Sequence, residues 1–226
     1  MCYHTELDTD VDALAKRMDR VMLAETRGEL PFPRTSAFAR PWWPVVTAEE
    51  QHVIGWKQWG LVPKWATDAK EFLKRSPTYN AVSEEAYEKR SFKSAMAAGR
   101  RCLIPVTAFY EWQHRPVEGR KTPDKVPYRL TLQGEGIFCL AGIYEGETYS
   151  ILTRPAQTLM AEIHNTKKRQ PVIIPRAFEG DWLNPALEQE DVLRFCRLDE
   201  EADLSATEVE QLPAADGPSA TEQLLF

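Results

Sequence analysis

Between Arg101 and Thr153 the chain repeats one pattern, a short apolar segment followed by a turn. Arg101-Cys102-Leu103-Ile104-Pro105, Ala108-Phe109-Tyr110-Glu111-Trp112, Tyr128-Arg129-Leu130-Thr131-Leu132, Ile137 to Tyr144 and Tyr149 to Thr153 each have strand length, and glycines stand in most of the gaps. Apolar runs of this size bounded by turn residues predict β-strands, and connections this short predict antiparallel neighbours. The middle of the chain is therefore expected to be an antiparallel meander.

The flanks are mixed. Thr9 precedes Asp10 to Met18, which reads as a capped helix with Leu14, Met18 and Val21 on its inner face. Residues 31–47, rich in Pro, Phe and Trp, predict extended chain, with Val45-Val46 and His52 to Trp56 as short strands joined by a turn at Thr47 to Glu50. In Trp59-Gly60-Leu61-Val62-Pro63-Lys64-Trp65, Gly and Pro interrupt any regular element. Ser83 opens a helix expected to run, with a break near Ser91, to Ala98. Ala156 to Ile163 predicts a short helix, Gln170 to Ile174 a strand, and Asn184-Pro185 the start of another helix. From about Glu200 the apolar period fails, so a domain over 1–200 and a loose acidic tail over 201–226 are expected.

With 226 residues and 43% hydrophobic content, one sizeable core suffices. No apolar run approaches the roughly 20 residues of a membrane span. The polar N-terminus lacks the order of a signal peptide, so a cytoplasmic location and no membrane partner are expected. Cys2, Cys102, Cys139 and Cys196 show no Cys-x-x-Cys spacing, which argues against a zinc site or a disulfide framework. The net charge of −6 is unevenly spread: Glu179 to Phe226 holds 13 acids against Arg194 and Arg197, leaving 21 acids and 26 bases before it. A mildly basic body is compatible with a phosphate-bearing partner.

Several residues carry chemistry in one reading and ordinary structure in another. Once Met1 is trimmed, Cys2 would hold an α-amine beside its thiol, groups that ordinarily titrate near 7.7–8.0 and 8.5. The amine can condense with an aldehyde and the thiol can close on the imine, giving a five-membered thiazolidine; otherwise Cys2 is simply part of a frayed end. Strand alternation puts Glu111 on the face of Phe109, where burial would raise its pKa and suit it to proton transfer; a solvent-facing carboxylate is the alternative. His164 ends a helix before Asn165-Thr166-Lys167-Lys168-Arg169, either as an acid or base beside a phosphate-binding run or as a cap before a solvated loop. Asn80 lies in a turn-like stretch, from which its amide could orient a nucleophile. Trp59 and Trp65 are core aromatics or, with Lys64, a stacking surface for single-stranded nucleic acid.

Met1-Cys2, Trp-Gly-x-x-Pro-x-Trp at 59–65, Asn80-Ala81, Arg-Cys-Leu-Ile-Pro before Phe-Tyr-Glu-Trp at 101–112, and Ile163-His164 followed by Arg169-Gln170-Pro171 occur in this order. The set resembles the SOS response-associated peptidase family, whose members shield abasic sites in single-stranded DNA by covalent attachment. The resemblance implies a single α+β domain with a curved, mainly antiparallel sheet closing toward a barrel and peripheral helices. It implies Cys2 as nucleophile, Asn80 as its orienter, Glu111 as proton shuttle and His164 as helper in ring opening. DNA contacts are implied at Trp59, Lys64, Trp65, Thr153, Lys168 and Arg169. The expected partner is single-stranded DNA with abasic sites, with no metal or organic cofactor, and a monomeric, nucleoid-associated state when bound. Cys-Gly-Arg and Asn-Ala-Arg, frequent in the family, are here Cys2-Tyr3-His4 and Asn80-Ala81-Val82, so two phosphate-binding cations are replaced. A cysteine hydrolase using the same residues, or a non-covalent DNA-binding module, are the rival readings.

Overall fold

The computed structural model describes residues 1–24, 27–197 and 202–210. Its strands are β1 (His4–Leu7), β2 (Val21–Met22), β3 (Phe32–Ser36), β4 (Trp42–Thr47), β5 (Val53–Trp59), β6 (Asn80–Val82), β7 (Arg101–Val106), β8 (Ala108–Arg115), β9 (Asp124–Leu132), β10 (Phe138–Glu145), β11 (Thr148–Pro155), β12 (Arg169–Pro171), β13 (Ile173–Ile174) and β14 (Leu204–Glu208). The helices are α1 (Val11–Met18), α2 (Ala69–Arg75), α3 (Lys93–Ala97), α4 (Thr158–Ile163), α5 (Glu179–Trp182) and α6 (Gln189–Cys196). No helix among the described residues is long and apolar enough to cross a membrane.

The strand segments of the meander are present, but they divide between two sheets. β10 lies antiparallel between β7 and β11, β7 adjoins β4, and β4 pairs with β5. Parallel pairing of Thr148 with Gln58 and Tyr149 with Trp59 then joins β11 back to β5. The five strands thus close into a ring, which removes the exposed edges an open sheet would carry. The second sheet has the order β14-β9-β8-β1-β3. The chain passes between the two sheets repeatedly, and most tightly where β7 ends at Val106 and β8 begins at Ala108; Thr107 N between them donates to the Glu6 carbonyl at 2.8 Å.

Apolar runs on these strands, buried almost continuously in β7, β10 and β11, fill a common core in which Trp43, Ile54, Trp59, Leu103, Leu140 and Ile151 are fully buried. Gly142 sits mid-strand in β10, and a Cβ there would lie 2.6 Å from Ile104 Cδ1, 2.8 Å from Cys102 Sγ and 3.0 Å from the Ser150 carbonyl oxygen. Since backbone is among these neighbours, Gly142→Ala is expected to cost about 1–3 kcal/mol by overpacking, read as a lower urea midpoint at unchanged slope.

Local expectations hold unevenly. Asp10, not Thr9, caps α1 by accepting from Ala13 N at 2.7 Å; Leu14 and Met18 are buried, but Val21 leaves the helix for edge strand β2 and is 70% exposed. The helix expected over 83–98 shrinks to Lys93–Ala97, because the preceding residues form successive separate turns. No helix starts at Asn184: its Oδ1 accepts from Ala186 N at 3.0 Å in a local turn, and helices flank it on either side. Helix α2 was not expected; its signal is Asp68, which accepts from Glu71 N at 2.9 Å. The loose tail expected from 201 is corrected by β14, which pairs residue by residue with β9 and packs Leu204 and Ala206 on the core. Alternating Leu204, Ser205, Ala206, Thr207 and Glu208 is strand-like, and the acidic composition around it masks the period. Residues 201 and 211–226 of that expected tail lie outside the described residues.

Candidate active site

The N-terminal segment is held by residues from both sheets. β1 lies between β3 and β8, with His4 opposite both Ser36 and Tyr110, so its start is held on two sides. Cys2, just before it, is fully buried, and its Sγ donates to the His4 carbonyl at 3.7 Å. From β6, beside β11, Asn80 Nδ2 donates to the Cys2 carbonyl at 2.9 Å. From β8, Glu111 Oε1 stands 3.6 Å from the Met1 ammonium. His164, at the end of α4, brings both ring nitrogens to 3.2 Å from that ammonium. The structure therefore brings Cys2, Asn80, Glu111 and His164 together around the Met1-Cys2 segment.

Alternation explains Glu111. His4, Tyr110 and Trp112 share one face, with the His4 and Trp112 rings 5.0 Å apart, while Phe109 and Glu111 point to the other, into the core. Burial raises the Glu111 carboxyl to about 7, against the opposing pull of the nearby ammonium. Burial, then the Glu111 charge, pushes the Cys2 thiol well above its ordinary value. Burial, then the N-terminal charge, lowers the His164 imidazole to about 4. His164 Nδ1 lies 2.7 Å from the Arg169 carbonyl and 3.3 Å from Arg169 N. The shorter contact fixes the tautomer: Nδ1–H donates to the carbonyl, leaving the Nε2 lone pair toward the ammonium. Two buried acceptors, Glu111 Oε1 and Asn80 Oδ1, have no hydrogen-bond donor among the described residues. Such oxygens favour an incoming N–H or O–H group.

The residues expected at DNA divide. Trp59 is corrected to a core residue: it is fully buried, donates Nε1 to the Tyr79 carbonyl at 2.9 Å and stacks on Tyr149. Thr153 is also fully buried, with its hydroxyl on the Ala81 carbonyl and its own carbonyl taken by Arg169, so it is corrected to a framework position. Arg169 is not an open cation, because Glu84 grips its guanidinium at 2.6 and 2.8 Å. Lys64 is surface-exposed and lies 3.5 Å from Glu145, Lys168 is exposed, and Trp65 is 45% exposed with the Arg90 guanidinium 4.2 Å from its ring centre.

Sequence reasoning missed Glu84, whose carboxyl is held at about 2 chiefly by the Arg169 hydrogen bonds. It also missed Arg34, whose Nη1 lies 3.1 Å from His4 Nδ1. Burial, then this cation, lowers His4 to about 3, so residue 4 is neutral and the positive charge comes from β3. Neither had a local signal, since each partner is distant in the chain.

The SOS response associated peptidase (SRAP) model matches residues 1–212. The chain belongs to that family. The abasic site processing protein YoaM of Bacillus subtilis is similar, 32% identical over 181 residues that make up 76% of this chain and 74% of YoaM. Abasic site processing protein HMCES of Xenopus tropicalis is 25% identical over 166 residues, covering 59% of this chain and 46% of its own length. A crystal structure of a Bacteroides thetaiotaomicron protein is similar in fold, with a TM-score of 0.80 at 28% identity and 92% of both chains covered. The SRAP match extends past β14, consistent with that strand being part of the domain.

Proposed function

We propose that this chain captures abasic sites in single-stranded DNA through Cys2 once Met1 has been removed. The observation that carries the reading is the N-terminal amine, placed between Glu111 and His164 while Asn80 holds the Cys2 carbonyl. In the trimmed chain the amine belongs to Cys2. Its nitrogen adds to the aldehyde carbon of a ring-opened abasic sugar, and loss of water gives an imine. Cys2 Sγ then bonds to the imine carbon, and the thiol proton passes to the nitrogen, closing the thiazolidine. Glu111, titrating near 7, is suited to take a proton from the amine and return one to the departing oxygen. Neutral His164 accepts at Nε2. Trp65 with Arg90, and Lys64 and Lys168, supply aromatic and cationic surface for the strand.

Hydrolysis by a Cys2 thiolate fits less well. A buried thiol raised in pKa, beside an imidazole lowered to about 4, does not form the thiolate–imidazolium pair such chemistry uses. The test is intact-mass analysis of the full chain before and after incubation with a single-stranded oligonucleotide carrying one abasic site. The expected result is loss of the Met1 mass and a DNA adduct that survives denaturation. The adduct should vanish in Cys2→Ala and after selective blocking of the amine. Met1 loss without an adduct on any abasic DNA geometry would overturn the proposal.

A further inference from the structure

The two proton-handling groups come from separate elements, Glu111 from β8 and His164 from the end of α4. Their relative placement depends on what fastens α4 to β8. The paired register of β1 along β8 reaches Tyr110, opposite His4, and goes no further toward Arg115. Beyond that point a side chain takes the place of a neighbouring strand. Asn165 Nδ2 donates to the His114 carbonyl at 2.9 Å, and His114 N donates to Asn165 Oδ1 at 3.0 Å. This reciprocal pair copies the two-bond exchange of an antiparallel ladder. Next to it, Gln113 Nε2 donates to the Glu162 carbonyl at 3.1 Å.

We propose that Asn165 is a positioning residue for the reaction, fastening His164 to the strand that carries Glu111. Asn165 adjoins His164 in sequence, and its partner His114 is three residues from Glu111 on the same strand. The far end of the loop is held separately, by Arg169 on Glu84 and on the Thr153 carbonyl. Arg169 thus sets the tautomer of the ring, and Asn165 sets its distance from Glu111. Only an amide at 165 supplies both the donor and the acceptor that His114 requires. Aspartate keeps the acceptor but turns a carboxylate oxygen against the His114 carbonyl.

This inference rests on the covalent reading above, and its test separates the two. Single-turnover crosslinking is measured at saturating protein in the full, Met1-free chain. Affinity is measured in parallel for the same oligonucleotide with an unreactive tetrahydrofuran in place of the abasic sugar. Asn165→Ala is expected to lower the rate about tenfold to a hundredfold, the effect of misplacing a reacting group by about 1 Å, while affinity stays unchanged. Asn165→Asp should fall between. The His164 titration followed by NMR gives a readout independent of crosslinking. The charged and titratable groups around the ring are the N-terminal ammonium, Lys167, Arg169, Glu111 across the ammonium and His114 on β8, all of which remain in the variant. Release of the ring toward solvent should therefore move its midpoint from about 4 up toward about 6.5.

An unchanged rate and titration in folded Asn165→Ala overturn the inference. So does a fall in rate, affinity and melting temperature together, which marks a purely structural role. If the unaltered chain forms no adduct, the covalent reading fails, and the His164 titration still decides whether Asn165 places the ring.

Discussion

Glu111→Gln is expected to slow covalent capture of an abasic site about a hundredfold to ten-thousandfold, the range for losing a general acid–base. The substitution keeps shape and burial and removes only the titration. In the unaltered chain the proposed proton-accepting form of Glu111 is populated as pH rises through about 7, so the rate should rise over that interval. In the variant this limb should be absent. Stability should move the other way. An acid whose folded pKa lies above its unfolded value is bound to its proton more tightly when folded. Its cost to the fold is therefore absent below about pH 4.5 and grows until pH passes about 7. The ammonium at 3.6 Å opposes this cost but does not cancel it, since the net shift remains upward. Glu111→Gln should thus melt higher than the unaltered chain above pH 7, and the difference should close in acid. Crosslinking by the variant at the unaltered rate would remove Glu111 from the mechanism.

Trp59→Ala is expected to destabilise the chain by about 3–5 kcal/mol, as deleting a buried large aromatic does. The cost should have two parts. A cavity opens where the indole stacked on Tyr149, and the Tyr79 carbonyl loses one of its two donors inside the core, keeping Ile151 N at 3.1 Å. Trp59→Phe, which retains most of the ring, should recover the larger part. Urea unfolding reads both variants, and the salt dependence of DNA binding by the folded fraction should not change. A stable Trp59→Ala chain with weakened DNA binding would return this residue to the nucleic-acid surface. Tyr79 precedes Asn80 in the chain, so the site itself should loosen in Trp59→Ala.

How much was legible depended on the range of the interaction. The strand segments could be read because each carries its own period, and Glu111 could be placed on the Phe109 face by counting alternate residues. The ring closure could not be derived from any segment, because pairing of Tyr149 with Trp59 depends on two residues 90 positions apart. The four candidate site residues were legible through short motifs, whereas the environment that sets their chemistry was not. Arg34 beside His4 and Glu84 on Arg169 are long-range partners, and the Pro- and Phe-rich stretch around Arg34 and the helix start expected at Ser83 announce neither pairing. Trp59 and Trp65 looked alike in the sequence, and only packing separates the buried one from the exposed one.

The seam between the two sheets also imposes an order of events on synthesis. Cys2 is synthesised before Glu111 and His164, which follow it by 109 and 162 residues. At 5–20 residues per second, about 8–30 s pass before the last of these can reach the N-terminus. During that interval the amine and thiol of a trimmed Cys2 would meet cellular aldehydes with no cleft around them. While Met1 stays in place, the free amine and the thiol sit on different residues and the five-membered ring is unavailable. In the proposed chemistry Met1 is a protecting group, and its removal is best timed to follow the docking of the sheets.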